Sequence, residues 1–270
     1  MNSATKLANV IANKPTRLFL ILAGFFVANA LVAEFIGVKI FSLEGTLGWE
    51  KIHLYLFGYE GALEFSVGVL LWPVVFIMTD IINEYYGKRG IRFLSFLAVG
   101  LISYAFFMIY IAVQFAPADW WIGQNAASGV PDMQAAFKAI LGQGMLIIVG
   151  SIVAFLLAQI VDVVVFHRIK KATGEKKVWL RATGSTLVSQ LVDSFVVTYI
   201  AFVLGPQLTD LGGEPWAINQ FFAISSIQYV YKFLIAIAMT PMIYLGHFLI
   251  DRYLGQELAN EMKEKATTWN

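Results

Sequence analysis

The apolar positions of this chain gather into six stretches, each close to the length of about 20 residues that a helix needs to cross a hydrocarbon core of about 30 Å. They run from Leu18 to Phe41, Phe65 to Tyr85, Phe93 to Phe115, Met145 to His167, Ser185 to Leu204 and Phe221 to Ile250. The pattern predicts an all-α integral membrane protein, one six-helix transmembrane domain filling residues 1–270. The last stretch is long enough to tilt or kink, and Pro241 is the place for it. Between the second and third stretches only Tyr86 to Arg92 remain, with Gly87 and Gly90 among them, so those two helices are expected to form a tight antiparallel hairpin.

The charges between the stretches set the orientation, because cytoplasmic flanks keep an excess of Lys and Arg. Lys6, Lys14 and Arg17 precede the first stretch. Lys88, Arg89 and Arg92 lie in the second connection, six cations from Arg168 to Arg181 in the fourth, and Arg252, Lys263 and Lys265 in the C-terminal tail. One side thus holds 15 cations and the other only Lys51 and Lys138. Both termini are therefore expected in the cytoplasm. The apolar run after Arg17 continues past Ala28-Asn29-Ala30, which marks it as a span and not a cleaved signal peptide. The outer connections, 42–64 and 116–143, are longer. In the second, Pro131-Asp132 before Met133, Ala136, Phe137, Ile140 and Leu141 predicts a short capped amphipathic helix, and Trp120 and Trp121 suit the membrane interface.

Composition agrees with a membrane chain: 59% of residues are hydrophobic and 14% charged, with a mean hydropathy of +0.70. The absence of cysteine removes disulfides, thiolate metal sites and cysteine nucleophiles. His53, His167 and His247 have no metal-ligand spacing, and His167 and His247 read as interface markers at helix ends.

Five acids nevertheless fall within or at the ends of the apolar stretches: Glu34, Asp80, Glu84, Asp162 and Asp193. A carboxylate near the membrane centre costs at least about 2.5–3.5 kcal/mol, so such groups face the bundle interior and take partners. Amides share their helix faces: Asn83 follows Asp80 by three residues, Gln159 precedes Asp162 by three, Gln190 precedes Asp193 by three, and Gln228 precedes Lys232 by four. At 1.5 Å per residue, Asp162 is expected about 8 Å inside the cytoplasmic end of its helix and Asp193 roughly 12 Å inside that of the next. Asp80 is similarly deep. Lys232 stands near mid-membrane as a counter-charge, and Glu34 is expected to pair with Lys39. The segments A-Q-I-V-D-V (158–163) and S-Q-L-V-D-S (189–194) echo one another and predict facing walls of one pocket in the cytoplasmic half.

Two blocks resemble a known family. W-P-V-V-F-I-M-T-D-I-I-N-E-Y-Y-G-K, Trp72 to Lys88, and the block from Ala158 to Phe202 that contains both Gln–Asp pairs are similar to the signature of the queuosine precursor transporters, also called vitamin uptake transporter-like proteins. The resemblance implies a six-helix fold like the substrate-binding subunits of energy-coupling-factor vitamin transporters. It also implies uptake of 7-cyano- or 7-aminomethyl-7-deazaguanine for tRNA modification, across the bacterial inner membrane. A deazaguanine presents an N–H and an exocyclic amine that one carboxylate can accept together, a carbonyl suited to Gln, Asn or Lys, and a flat face suited to an aromatic ring.

The substrate-binding residues expected on this basis are Asp80, Asn83, Glu84, Gln159, Asp162, Gln190 and Asp193, then Asn29, Gln228 and Lys232, with Trp72, Phe76 and Tyr229 for stacking. Arg181 is read as marking the inner boundary, a gate partner for Asp80 or Glu84 being the other reading. A transporter and not an enzyme is expected, with no cofactor, no metal and no nucleic acid partner. A coupling proton and self-association are left open. The alternatives are a binding subunit that needs an energising partner, and a magnesium-dependent intramembrane enzyme of the prenyltransferase type built on Asp80, Asn83 and Glu84.

Overall fold

The computed structural model describes residues 12–142, 145–173, 178–208 and 214–268. Lys6, Lys176 and Lys177, and the side chains of Trp179 and Arg181, lie outside the described residues. Five helical stretches there are long and apolar enough to cross a membrane: Lys14–Ile36, Val67–Gln114, Gly150–Thr173, Thr183–Leu208 and Ile218–Ala238. The chain is thus an all-α integral membrane protein, with two small two-stranded sheets among the described residues.

Helix α1 (Lys14–Ile36) starts where the Asn13 side chain accepts the Thr16 N–H, with Pro15 in the first turn, where its missing N–H is harmless. At about 1.5 Å per residue it is long enough to span. The first outer connection then folds into a cap. Strand β1 (Ile40–Ser42) leads into the single-turn α2 (Leu43–Leu47), and β2 (Leu54–Leu56) and β3 (Tyr59–Gly61) form a hairpin. β4 (Glu64–Ser66) returns antiparallel to β1 with Phe41 opposite Phe65. The β2–β3 turn has Phe57 and Gly58 both at positive φ, the geometry that fits the strand twist, and the Phe57 ring packs on Phe222. Glu44 pins the cap from inside. It is fully buried, and its carboxylate accepts the Leu63 N–H at 2.8 Å and the Ser42 hydroxyl at 3.0 Å. Burial works to raise the Glu44 pKa, but the N–H and hydroxyl donors outweigh it and hold the carboxyl below its ordinary value.

Helix α3 (Trp72–Gln114) joins the second and third predicted spans without a loop; only Gly87, at φ 66° and ψ −173°, is non-helical within it. The chain reverses there. Thr79 and Ser95 both reach the Gln159 side-chain oxygen, at 3.3 and 3.4 Å, whereas sixteen residues of unbroken helix would separate them by about 24 Å. The tight antiparallel hairpin expected from Gly87 therefore forms, and a single residue suffices for it. Phe19 of α1 fills the inside of the bend against Tyr86 and Phe93.

Helix α4 (Met133–Leu141) is the predicted amphipathic helix, capped by Asp132 on the Ala135 N–H at 2.9 Å and tied to α3 by Gln134 on the Val113 carbonyl. Helices α5 (Met145–Thr173) and α6 (Val178–Thr198) run antiparallel in close contact. A side chain at Gly150 would meet Ile200, and one at Gly184 would meet Ile169. Beyond Thr198 the backbone widens into a π-helical turn, Tyr199–Leu204. Within the sixth predicted span the helix breaks beside Pro241, where a kink is expected: α7 (Ile218–Ala238) ends, and α8 (Thr240–Leu254) starts anew with Pro241 in its first turn. Proline lacks the N–H and crowds the preceding turn, which separates the two helices instead of bending one. Helix α9 (Gln256–Thr268) then folds back over the α3 bend, its Ala266 backbone against Gly87.

The α3 bend carries the first prediction. Gly87→Ala combines a positive φ with a Cβ 3.0 Å from the Ala266 carbonyl, and is expected to lose about 1–3 kcal/mol of stability. Gly100→Ala, where a Cβ meets nothing, is expected to be neutral or slightly stabilising; thermal unfolding of both in detergent makes the comparison. The second prediction concerns Glu44. Because its folded-state pKa is lowered, its contribution is complete above the ordinary value of about 4.3 and is lost as pH falls through the folded value. Protection of the Leu63 amide, corrected for intrinsic exchange, should fall in that acid range, and Glu44→Gln should flatten the profile.

Candidate binding cavity

The cap does not rest flat on the bundle. Beneath it a cavity of about 930 Å³ opens between α1, β3, β4, α6 and α7, at the upper end of the size range that holds small ligands. Deep in it, Lys232 Nζ of α7 donates to Asp193 Oδ2 of α6 at 2.7 Å. The pair is 8% and 15% exposed, so each ion depends on the other for most of its solvation. Gln228, one helical turn before Lys232, lines the same wall, and Trp72 contributes a ring from the start of α3. Towards the mouth, the π-helical turn presents Phe202, which stacks on Trp216 with centroids 4.1 Å apart and planes 10° from parallel. Wide turns of this kind recur at functional sites because they push side chains out of the regular helical register. Glu34 of α1 enters from the opposite side and accepts the Ser151 hydroxyl of α5.

Below the cavity, towards the face carrying Lys88, Arg89, Arg92 and Arg168, lies a second set of polar groups closed off from it. Asp80 accepts hydroxyls from Ser185 at 3.3 Å and Thr186 at 3.2 Å, and Asp162 accepts from Ser189 at 3.2 Å. Asn83 Oδ1 meets His167 Nε2 at 3.0 Å, and Lys170 donates to Glu84 at 3.3 Å. Gln159 bridges Thr79 and Ser95. All of these are buried. They lock the first arm of α3 to α5 and α6. Asn83 Nδ2 and Asp162 Oδ2 remain without hydrogen-bond partners, so the layer is not fully satisfied.

The expected site residues therefore divide. Asp193, Gln228, Lys232 and Trp72 come together in the cavity; Gln190 lines a void of about 10 Å³ just below, which Lys232 also borders. Asp80, Asn83, Glu84, Gln159 and Asp162 do not line the cavity but form the layer beneath it. Asn29, Phe76 and Tyr229 belong to neither. Asn29 donates to the Phe25 carbonyl of its own helix at 2.8 Å, Phe76 is fully buried in the packing, and Tyr229 lies against Phe233.

The two Gln–Asp echoes meet, since Asp162 accepts from Ser189 at the start of the second, but their acids do not share one pocket: Asp193 turns away to Lys232 of α7. The reason is which neighbour each helix face meets: Asp162 lies on the side of α5 that packs on α6, and Asp193 on the side of α6 that meets α7. Glu34 bonds Ser151 and not Lys39, which is exposed on the far side of the Gly37 turn. Glu84 is met by Lys170, and His167 is a buried partner of Asn83 and not an interface marker. His247, also read as an interface marker, contacts Tyr85. The sequence reading missed Glu34, Ser151, Phe202 and Trp216 as lining residues. Glu34 carried a usable signal, an acid within an apolar run, but Phe202 and Trp216 carried none, since chain reversal alone stacks them.

Comparison with known proteins supplies the lineage. A family profile described as "Putative vitamin uptake transporter" matches residues 66–246. A "Probable queuosine precursor transporter" of Bacillus subtilis (strain 168) is 30% identical over 196 residues, covering 72% of this chain and 75% of the relative. The "Queuosine precursor transporter" of Escherichia coli (strain K12) is 26% identical over 201 residues, 73% of this chain and 79% of its own. A "Probable queuosine precursor transporter" of Haemophilus influenzae is 24% identical over 196 residues, 70% and 72% of the two chains. No solved structure matches. The profile spans α3 through the first turns of α8, and so includes Asp193, Lys232 and the whole polar layer. By that match this chain belongs to the vitamin uptake transporter family.

Proposed function

We propose that this protein imports a queuosine precursor, 7-cyano- or 7-aminomethyl-7-deazaguanine, across the bacterial inner membrane, and that the cavity beneath the cap is where the base loads. The observation that carries the reading is the Asp193–Lys232 pair at the bottom of a ligand-sized cavity, in a chain whose relatives are named queuosine precursor transporters. A buried ion pair offers a base both an acceptor and a donor. Lys232 suits the ring carbonyl, Gln228 adds an amide beside it, and Trp72 or the Phe202–Trp216 stack offers a flat partner.

The topology that fits is six crossings with both termini in the cytoplasm. The two arms of α3 count separately, and α1, α5, α6 and α7 supply the other four. The excess of cations beside the Gly87 bend and after α5 supports this orientation, and it puts the cap and cavity outside. Transport then requires the lower polar layer to part. Asp80, Asn83, Glu84, Gln159, Asp162 and Gln190 lie along the way to the cytoplasm, and the hydrogen bonds of Asp80, Asn83, Glu84 and Asp162 to Ser185, Thr186, Ser189, His167 and Lys170 hold it shut. These are polar bonds that a passing base can replace one for one. The buried acids would also accommodate a coupling proton. As an alternative, the same cavity would serve a binding subunit coupled to an energising partner, with the six-helix architecture of energy-coupling-factor binding subunits. In an intramembrane enzyme Asp80, Asn83 and Glu84 would share one metal, yet each here has its own separate partner.

Purified protein in liposomes is expected to take up 7-cyano-7-deazaguanine with no second component; a requirement for added membrane proteins would favour the binding-subunit alternative. Two variants separate the cavity from the layer below. Asp193→Asn is expected to abolish ligand-induced thermal stabilisation, which in the parent should reach about 2.7 kcal/mol at a hundredfold excess of ligand over Kd. Asp80→Asn should keep that stabilisation while losing uptake. Full transport by both variants would overturn the site assignment.

A further inference from the structure

Four acids line the cavity: Glu34, Glu60, Glu64 and Asp193. Three of them are accounted for. Asp193 is held by Lys232, Glu60 by His53 in the cap hairpin, and Glu64 is an exposed residue of β4. Glu34 differs from all three. It sits in the membrane-spanning length of α1, no cation pairs with it among the described residues, and its one hydrogen bond comes from the Ser151 hydroxyl. A carboxylate has about four lone-pair sites, so one hydroxyl leaves most of its accepting capacity turned to the cavity. Within a membrane such a group is costly, and it is kept where a ligand or a pathway uses it.

We propose that Glu34 is the specificity residue of the cavity, and that it selects planar nitrogen bases whose edge presents a ring N–H beside an exocyclic amine. Two parallel donors on one edge match the two oxygens of a carboxylate, the geometry that makes paired charge-assisted hydrogen bonds strong. A base with a carbonyl or a bare carbon in place of the amine leaves one Glu34 oxygen desolvated and unpartnered. Rejection of such a base follows from that unpaired oxygen and does not require a clash. The division of labour is then chemical. Glu34 from α1 reads the donor edge, while Gln228 and the Lys232 N–H donors not given to Asp193 meet the acceptor edge from α7. Ser151 is a positioning residue, fixing the Glu34 carboxylate from α5. Glu34 precedes residues 66–246, so the family match itself assigns nothing to it.

The inference rests on the purine-base reading of the cavity, and the test keeps the two apart. Binding of 7-cyano-7-deazaguanine and of its analogue lacking the exocyclic amine is measured by calorimetry on the detergent-purified full chain and on Glu34→Gln. The parent is expected to prefer the amine-bearing base at least tenfold. Glu34→Gln, which keeps the size and can still accept from Ser151, should bind it at least tenfold more weakly and lose most of the preference. Should Glu34→Gln not yield folded protein, Glu34→Asp, which retracts the charge by one methylene, should show the same loss of preference. Equal affinity of the parent for both bases, or a preference unchanged in either variant, would overturn the role of Glu34 and leave the transport reading standing. Failure of the parent to bind any deazapurine would instead remove the reading on which it rests.

Discussion

Inside a bilayer there is no water to solvate a charge, and the architecture of this protein follows from where each intramembrane ion finds its partner. Asp193 and Lys232 solve the problem together, from neighbouring helices, at the bottom of a cavity. Glu84 and Lys170 solve it near the opposite face. Among the described residues Asp80 and Asp162 are held by hydroxyls, from Ser185, Thr186 and Ser189, and so depend on α6 staying packed against α3 and α5. Remove the packing and the carboxylates lose their donors; remove the donors and the packing carries uncompensated charge. The two costs are coupled, which fixes the register of these three helices more firmly than apolar contact alone could.

The same constraint divides the polar groups of the bundle into two levels. Above, they line the cavity. Below, they bond chiefly to one another, with Asn83 Nδ2 and Asp162 Oδ2 left over. The helices are continuous through both levels, so a change at one level reaches the other by rigid elements: α6 carries Asp193 in the cavity and Ser185, Thr186 and Ser189 in the layer, and α5 carries Ser151 above and Asp162, His167 and Lys170 below. Asp193 thus stands on the helix whose hydroxyls hold Asp80.

The irregular parts serve this arrangement. The single-residue reversal at Gly87 lets Thr79 and Ser95 share one amide of Gln159, which a longer loop would not bring into reach. Helix α9 covers that bend, and Lys263 and Tyr85 both bond the Asp251 carboxylate, tying the C-terminal segment to the foot of α3. On the opposite face Glu44 organises the cap by accepting the Leu63 N–H and Ser42 hydroxyl across the connection. The cap thus has an internal support of its own, and the cavity beneath it need not be filled to hold it up.

The sequence by itself determined that the chain lives in a membrane, that its spans are helical, that Gly87 marks a reversal, that Asp132 caps a short helix, and that a few acids and amides lie within the apolar stretches. These are local matters: run length, turn residues, capping and the cost of a charge in hydrocarbon act over a few residues. It did not determine which acids line the cavity. Asp193 and Asp162 stand in nearly the same local sequence, Gln-x-x-Asp, yet one lines the cavity and the other is sealed below it. Asp193 lies on the side of α6 that meets Lys232 of α7, and Asp162 on the side of α5 that meets Ser189 of α6. Glu34 found its partner on α5, 117 residues away, and not on nearby Lys39. Only tertiary structure decides such pairings, because a buried charge is satisfied by whatever donor the packing brings within hydrogen-bond distance, and sequence separation does not enter that distance.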